Sequence, residues 1–327
     1  MRLAFKIIAL AGLATLAGIA FVAHRATARE TAIAAAFPPL GQIITVNGRA
    51  VHVLVQGSGP DLVLIHGASG NLRDFSFALI DQLADHYRVM AFDRPGLGYS
   101  AHSDDRYASA FSTRAETLSE QADLLQAAAA QLGATRPIVL GQSYGGAVAL
   151  AWAVHHPDAI AALVAVSAPS NPWEGGLGRL YAIIGSALGG AFVLPLITAF
   201  APDSVVEQAI AGVFAPNPVP PGYVDYIGAQ LVIRGDSGRT NARQINALLA
   251  EIIAMVPDYG NLTLPVEIVH GDLDTVVPLA IHSARLVHEI PGAVLTVLPG
   301  VGHMPHHTDP QAVIDAVDRA ARRAGLR

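Results

Sequence analysis

The first hydrophobic feature of the chain is one long unbroken run. Residues 7–23, IIALAGLATLAGIAFVA, are 17 uncharged and mostly apolar residues behind Arg2 and Lys6. As an α-helix they would extend about 25 Å at 1.5 Å per residue, close to the thickness of a bilayer core. After Phe37-Pro38-Pro39 the pattern changes to alternation. GQIITVNGRAVHVLVQGSGP places apolar residues at every second position around Asn47-Gly48, which predicts a tight hairpin. From Leu62 onward the apolar runs are short and unbroken, as in strands buried on both faces of a parallel sheet. One covers residues 62–65 and the next 88–92; others lie in RPIVLGQS, AALVAVSAPS, PVEIVHGDLD and AVLTVLPGVGH. Helical patterns separate the first of them, near residues 72–86 and 113–131. Strand-helix alternation of this kind predicts an α/β fold with a mostly parallel sheet and helices on both faces.

One stretch interrupts the alternation. Residues 171–261 carry apolar helical segments and prolines but no buried-strand signal, and they predict an inserted helical lid. Within it, LGRLYAIIGSALGGAFVLPLITAF is too apolar for an ordinary surface element and is expected to line a pocket or to face lipid. The expected organisation is therefore an anchor or signal segment at 1–30, a linker at 31–40, an α/β core at 41–170 and 262–327, and the lid at 171–261.

Composition narrows the function classes. With 52% apolar and 14% charged residues the chain has ample material for a core. Its net charge of −6 hides an asymmetry: residues 1–30 hold Arg2, Lys6, Arg25 and Arg29 against Glu30, and the remainder carries 16 basic and 25 acidic residues, or −9. No basic cluster offers a face for phosphates, so no nucleic-acid partner is expected. The absence of cysteine excludes disulfides, thiolate metal sites and a cysteine nucleophile. The basic amino end favours a cytoplasmic N-terminus and an exported body, against the weaker pull of Arg25 and Arg29. Ala26-Thr27-Ala28 fits an A-x-A cleavage pattern, which makes secretion after signal cleavage the alternative to a retained anchor.

The candidate chemistry sits at predicted strand ends. Gly141-Gln142-Ser143-Tyr144-Gly145 fits G-x-S-x-G between a strand and a helix, where small neighbours let a serine oxygen stand clear. A serine hydroxyl needs a base oriented by a carboxylate. Asp274 in HGDLDTVVP and His303 in LPGVGHMPHH follow in that order, each just past a predicted strand. An oxyanion would be held by backbone N–H groups, and the expected donors are Ala68 in HGASG and Tyr144 at the start of the helix.

Together HGASG, DRPGLGYS, GQSYGG, GDLDTVVP and GVGHMPHH resemble the α/β-hydrolase fold family, in its serine-nucleophile branch with a helical lid, over roughly residues 41–324. The resemblance implies an eight-stranded sheet and hydrolysis at Ser143 with Asp274 and His303 as partners. The family register puts the acid four residues before Pro278, at Asp274, which leaves Asp272 as a loop-capping residue. Aspartate in place of Ser143 would suit epoxide hydrolases and haloalkane dehalogenases, so neither activity is expected. HGASGNLRDF also lacks the longer Gly-Pro-Gly loop of the carbon–carbon hydrolases. The expected function is a serine esterase that cleaves an uncharged, apolar ester or lactone through an acyl-enzyme, without cofactor or metal, with a small apolar substrate and a lipid bilayer as partners. The alternatives are a carbon–carbon bond hydrolase, a cofactorless haloperoxidase- or perhydrolase-like enzyme, and a non-catalytic binding protein on the same fold. His66 is expected to brace the loop it opens, Asp93 and Arg94 to form an ion pair, and Tyr181, Tyr223 and Tyr226 to pack at the lid surface.

Overall fold

A computed structural model describes residues 2–327. Helix α1 (Arg2–Ala36) runs 35 residues without a break, so residues 31–36, expected as linker, are helical. A hairpin follows, β1 (Gln42–Val46) and β2 (Arg49–Gln56), joined through Asn47 at φ 50° and Gly48 at φ 78°. Left-handed backbone at both positions matches the right-handed twist of the paired strands.

The body alternates β3 (Asp61–Ile65), α2 (Arg73–Ser76), α3 (Leu79–Ala84), β4 (Arg88–Phe92), α4 (Leu118–Gln131), β5 (Ile138–Gln142), α5 (Tyr144–His155) and β6 (Ala162–Val166). The single helix expected near 72–86 is two short ones, broken where Ala78 leaves helical geometry at φ −155°. Helix α4 starts at a reciprocal cap, with Thr117 accepting from the Glu120 N–H and Glu120 from the Thr117 N–H. Residues 171–261 are helical: α6 (Arg179–Gly185), α7 (Leu194–Phe200), α8 (Asp203–Phe214), α9 (Tyr223–Ile227) and α10 (Gly235–Met255), with shorter turns between them. The chain closes with β7 (Val266–Gly271), α11 (Ser283–Glu289), β8 (Val294–Leu298), α12 (Pro305–Thr308) and α13 (Pro310–Arg323).

The eight strands form one sheet in the order β1-β2-β4-β3-β5-β6-β7-β8. Strand β2 is antiparallel to β1 and β4, and all other neighbours are parallel. Strands β5, β6 and β7 are buried along their whole length, which is why their sequences read as continuous apolar runs. On one face Val139, Val63 and Ile268 pack with Leu125, Val148 and Trp152 of α4 and α5. On the other, Leu64, Leu140 and Val164 pack with Leu79, Val313 and Val317. The loops at the carboxyl ends of β3, β5, β7 and β8 meet at one edge, the usual place for chemistry in such sheets.

Helix α1 has two halves. Phe5, Ile7, Leu10, Leu13 and Leu16 are exposed. From Phe21 onward it docks on the 171–261 insertion: Phe21 meets Phe200 at 6.4 Å between ring centres and Arg25 lies over the same ring. Arg29 pairs with Asp203 at 2.8 Å, and Glu30 accepts from the Gly235 N–H at 2.6 Å. Ala4–Ala36 is long and apolar enough to cross a membrane or to be a signal sequence, its most apolar 18-residue window having a mean hydropathy of 2.1.

Candidate active site

Ser143 sits on the turn between β5 and α5 with φ 51° and ψ −126°, a left-handed conformation for a residue with a Cβ. The residues two positions to either side of it have to be glycine. A side chain on Gly145 would collide with the Ile65 carbonyl, and one on Gly141 with the Gly145 carbonyl. The turn is closed by the Ser143 N–H donating to the Val166 carbonyl at 2.9 Å.

Strand-end placement brings the other candidates to Ser143. His303, between β8 and α12, has Nε2 2.9 Å from Ser143 Oγ and Nδ1 2.7 Å from Asp274 Oδ2. With the ring proton on Nδ1, facing the carboxylate, Nε2 is bare and accepts from the serine hydroxyl. Asp274 is itself held: Oδ1 accepts from the N–H groups of Val276 at 2.9 Å and Val277 at 2.8 Å. A second imidazole, His270, donates from Nε2 to the Val277 carbonyl at 2.7 Å and lies 3.1 Å from Asp274 Oδ2. Burial pushes the Asp274 carboxyl up, but His270, His303 and the Val277 N–H outweigh it and hold the group well below the usual carboxylate range. Asp272 is outside this chain of contacts, accepting instead from the Gly300 N–H at 2.7 Å.

The loop carrying Ala68 passes against the serine, since a side chain on Gly67 would lie 3.1 Å from Ser143 Cβ. The Gly67 carbonyl accepts from His66 Nδ1 at 2.8 Å and from Arg94 Nη2 at 3.2 Å. In a trans peptide the C=O and the following N–H point in opposite directions, so these two donors also set the direction of the Ala68 N–H. Among the described residues neither the Ala68 nor the Tyr144 N–H takes an intramolecular acceptor. His66 braces the loop and is neutral: burial, with the nearby Arg94 charge, pushes it down to about 4, and its Nε2 accepts from the Arg94 N–H at 3.0 Å.

The expected Asp93–Arg94 ion pair is absent. Consecutive residues past a strand end point to opposite sides. Asp93 accepts from the Leu72 and Tyr99 N–H groups and pairs with His52 at 2.6 Å. Arg94 turns inward, fully buried, to the His66 carbonyl, Gln121 and Gln244, with its guanidinium 4.2 Å from the centre of the Tyr144 ring. It is a site residue that local sequence pattern missed, because its partners lie 27 and 150 positions away.

Tyr223 also departs from expectation. It is buried and donates to Asp74 Oδ1 at 2.7 Å, while His306 and His307 approach the same carboxylate at 3.0 and 2.8 Å. These three ligand-type groups lie within 4.8 Å of one another. Nδ1 of His306 is buried without a partner. A metal on Nε2 would force a proton onto that nitrogen with nothing to accept it, contrary to the outer-shell contacts that metal-binding histidines need. Both rings instead serve as donors to the Asp74 carboxylate, joining α2 and α9 to α12, just after His303.

Residues 62–316 match the sequence model of the Alpha/beta hydrolase family. The chain belongs to that family. An uncharacterized protein of Mycobacterium tuberculosis is 29% identical over 290 residues, covering 86% of this chain and 81% of its own. A pimeloyl-[acyl-carrier protein] methyl ester esterase of Vibrio vulnificus is 28% identical over 262 residues, covering 80% and 94%. Among solved structures, a membrane phospholipase A described as a bacterial virulence factor shares the fold with a TM-score of 0.64 at 19% identity, covering 98% of this chain and 99% of that one. This member of the hydrolase family therefore has esterases among its relatives, and a site geometry of its own to be read.

Proposed function

We propose that the protein is a serine esterase that cleaves an uncharged, apolar carboxylic ester or lactone through an acyl-enzyme on Ser143. The observation that carries this reading is the unbroken chain from Asp274 to His303 to Ser143 at 2.7 and 2.9 Å. Ser143 Oγ attacks the carbonyl carbon as its proton passes to His303 Nε2, and Asp274 stabilises the imidazolium so formed. The carbonyl oxygen, now an anion, takes the N–H groups of Ala68 and Tyr144, the latter at the positive end of α5. The imidazolium returns its proton to the leaving alkoxide, which departs as the alcohol. Water then repeats the cycle on the acyl-enzyme with His303 as base, releasing the acid and restoring the serine.

Helix α1 supports a membrane-anchored enzyme with an exported body. The insertion acts as a lid, and its residues Leu180, Ile183, Leu188, Phe192 and Phe200 are apolar and exposed, Phe200 meeting Phe21 of α1. Exposed apolar residues of this kind suit contact with lipid and an apolar substrate delivered from it.

A fluorophosphonate probe tests the core of the proposal together with nitrophenyl esters of rising chain length. Wild-type protein should be labelled and should turn over at least one ester. Ser143→Ala should take no label and lose on the order of 10⁶ in kcat, and a variant that keeps a tenth of the activity refutes the serine mechanism.

A further inference from the structure

Ser69, the residue after the expected oxyanion donor Ala68, has φ 57°. That left-handed conformation is disfavoured for any residue with a Cβ, so something outside the loop has to hold it. The holder is in the insertion. The Ser69 N–H donates to Asn241 Oδ1 at 2.7 Å, and Asn241 Nδ2 donates back to Ser69 Oγ at 2.9 Å. Asn241 is 4% exposed and sits in the second turn of α10.

Helix α10 is a firm mount for this contact. Gln244, one turn on, bonds Arg94 at 2.7 Å, Glu116 at 2.7 Å and the Pro95 carbonyl at 3.2 Å. Arg243 donates to the Tyr107 and Ser109 carbonyls, both at 3.0 Å. The two peptides flanking Ala68 are thus pinned from opposite sides. His66 and Arg94, from the core, hold the one before it through Gly67 O. Asn241, from the insertion, holds the one after it through Ser69 N–H.

We propose that Asn241 is a positioning residue of the oxyanion hole, acting through Ser69 to fix the direction in which the Ala68 N–H is presented. This rests on the serine esterase reading and extends it: the insertion covers the site and also supplies a clamp without which the anion-binding peptide is not preorganised. Preorganised donors act on the developing charge and so belong to the transition state, not to ground-state binding.

The test is a double-mutant cycle on the full-length enzyme with a nitrophenyl ester, reading kcat and KM separately and the rate of fluorophosphonate labelling in parallel. Removing an oxyanion donor outright costs about 10²–10³ in kcat, and displacing one should cost less. Asn241→Ala is expected to lower kcat by roughly 10- to 100-fold, with KM little changed and labelling slowed in proportion. Ser69→Gly allows the left-handed turn without help, so the same Asn241→Ala change in a Ser69→Gly background should cost distinctly less. Asn241→Ser, whose hydroxyl is too short to reach Ser69, serves if the alanine variant does not fold and should show the same kcat loss.

An Asn241 variant that keeps kcat within twofold, or losses that add independently in the Ser69→Gly background, overturns the inference. So does a drop in melting temperature alone. Failure of the underlying reading shows elsewhere, as turnover retained by Ser143→Ala.

Discussion

Asp274→Asn makes the sharpest demand on the site, because the structure dictates how the new amide must sit. Asp274 Oδ1 accepts from two backbone N–H groups, Val276 and Val277, at 2.9 and 2.8 Å. Asparagine can satisfy both only with its oxygen, which leaves the amide nitrogen in the place of Oδ2. That place is 2.7 Å from His303 Nδ1 and 3.1 Å from His270 Nε2. His270 Nε2 already carries a proton for the Val277 carbonyl, so the amide faces one fixed donor and displaces the other. His303 adapts by moving its proton to Nε2, which then presents an N–H to Ser143 Oγ where a lone pair is needed. The expected loss is roughly 10⁴ in kcat by analogy with other triads, equivalent to about 5.5 kcal/mol of barrier. Steady-state rates on a short nitrophenyl ester measure it, with Asp272→Asn as the comparison, since Asp272 only tethers the β8 loop through Gly300. Retention of a tenth of the activity by Asp274→Asn, or a larger loss from Asp272→Asn, would refute the assignment.

Two further outcomes follow from burial and docking. Burial pushes both His66 and His282 down to about 4 from an ordinary 6.5, and His282 Nδ1 accepts from the Ser170 N–H at 3.2 Å, which requires it bare. Between these values the unfolded chain binds more protons, so stability should fall as pH drops from 6.5 to 4, by at most about 1.4 kcal/mol per pH unit for each histidine. Urea midpoints that stay level from pH 7 to pH 5 contradict this. A chain starting at His24 keeps the contacts of Arg25, Arg29 and Glu30 with the insertion and should leave the membrane fraction while melting near the full-length value. A chain starting at Phe37 loses them and should melt roughly 5 °C lower, and equal melting of the two would refute a stabilising role for the docked half of α1.

The parts of the fold that were legible in sequence are those whose cause is local. Asn47-Gly48 announces its hairpin because both residues tolerate left-handed backbone. The strands β3, β5, β6 and β7 show themselves because burial on both faces leaves few polar positions, buried Glu267 and His270 of β7 among them. Ser143 stands out because the sharp turn it occupies puts glycines two positions to either side within one short motif, although the contact that requires Gly145 comes from distant Ile65. What stayed hidden is set by distant pairings. Nothing near Arg94 says that it turns inward to Gln244, and nothing near Ser69 names Asn241, 172 positions on. Tyr223 reads as a surface residue until Asp74 and His307 are brought to it by the fold. The extent of α1 was hidden for a related reason: residues 31–36 have no membrane-like pattern, and Ile33 is helical and buried against the rest of the chain.

If the body is exported as proposed, the docking of α1 bears on when the fate of the N-terminal segment would be sealed. The alanines at 26 and 28 lie inside a continuous helix, Ala26 is 7% exposed, and the charged residues on either side of them are engaged with the insertion. A peptidase that threads its substrate in extended form can reach this segment only while it is still undocked. Once the insertion has closed on residues 21–36, scission would demand that a helical turn be unwound and its ion pair broken. Tethered and released forms would then be decided by a race between translocation machinery and folding, and slowing the folding of the insertion alone should shift the ratio between them.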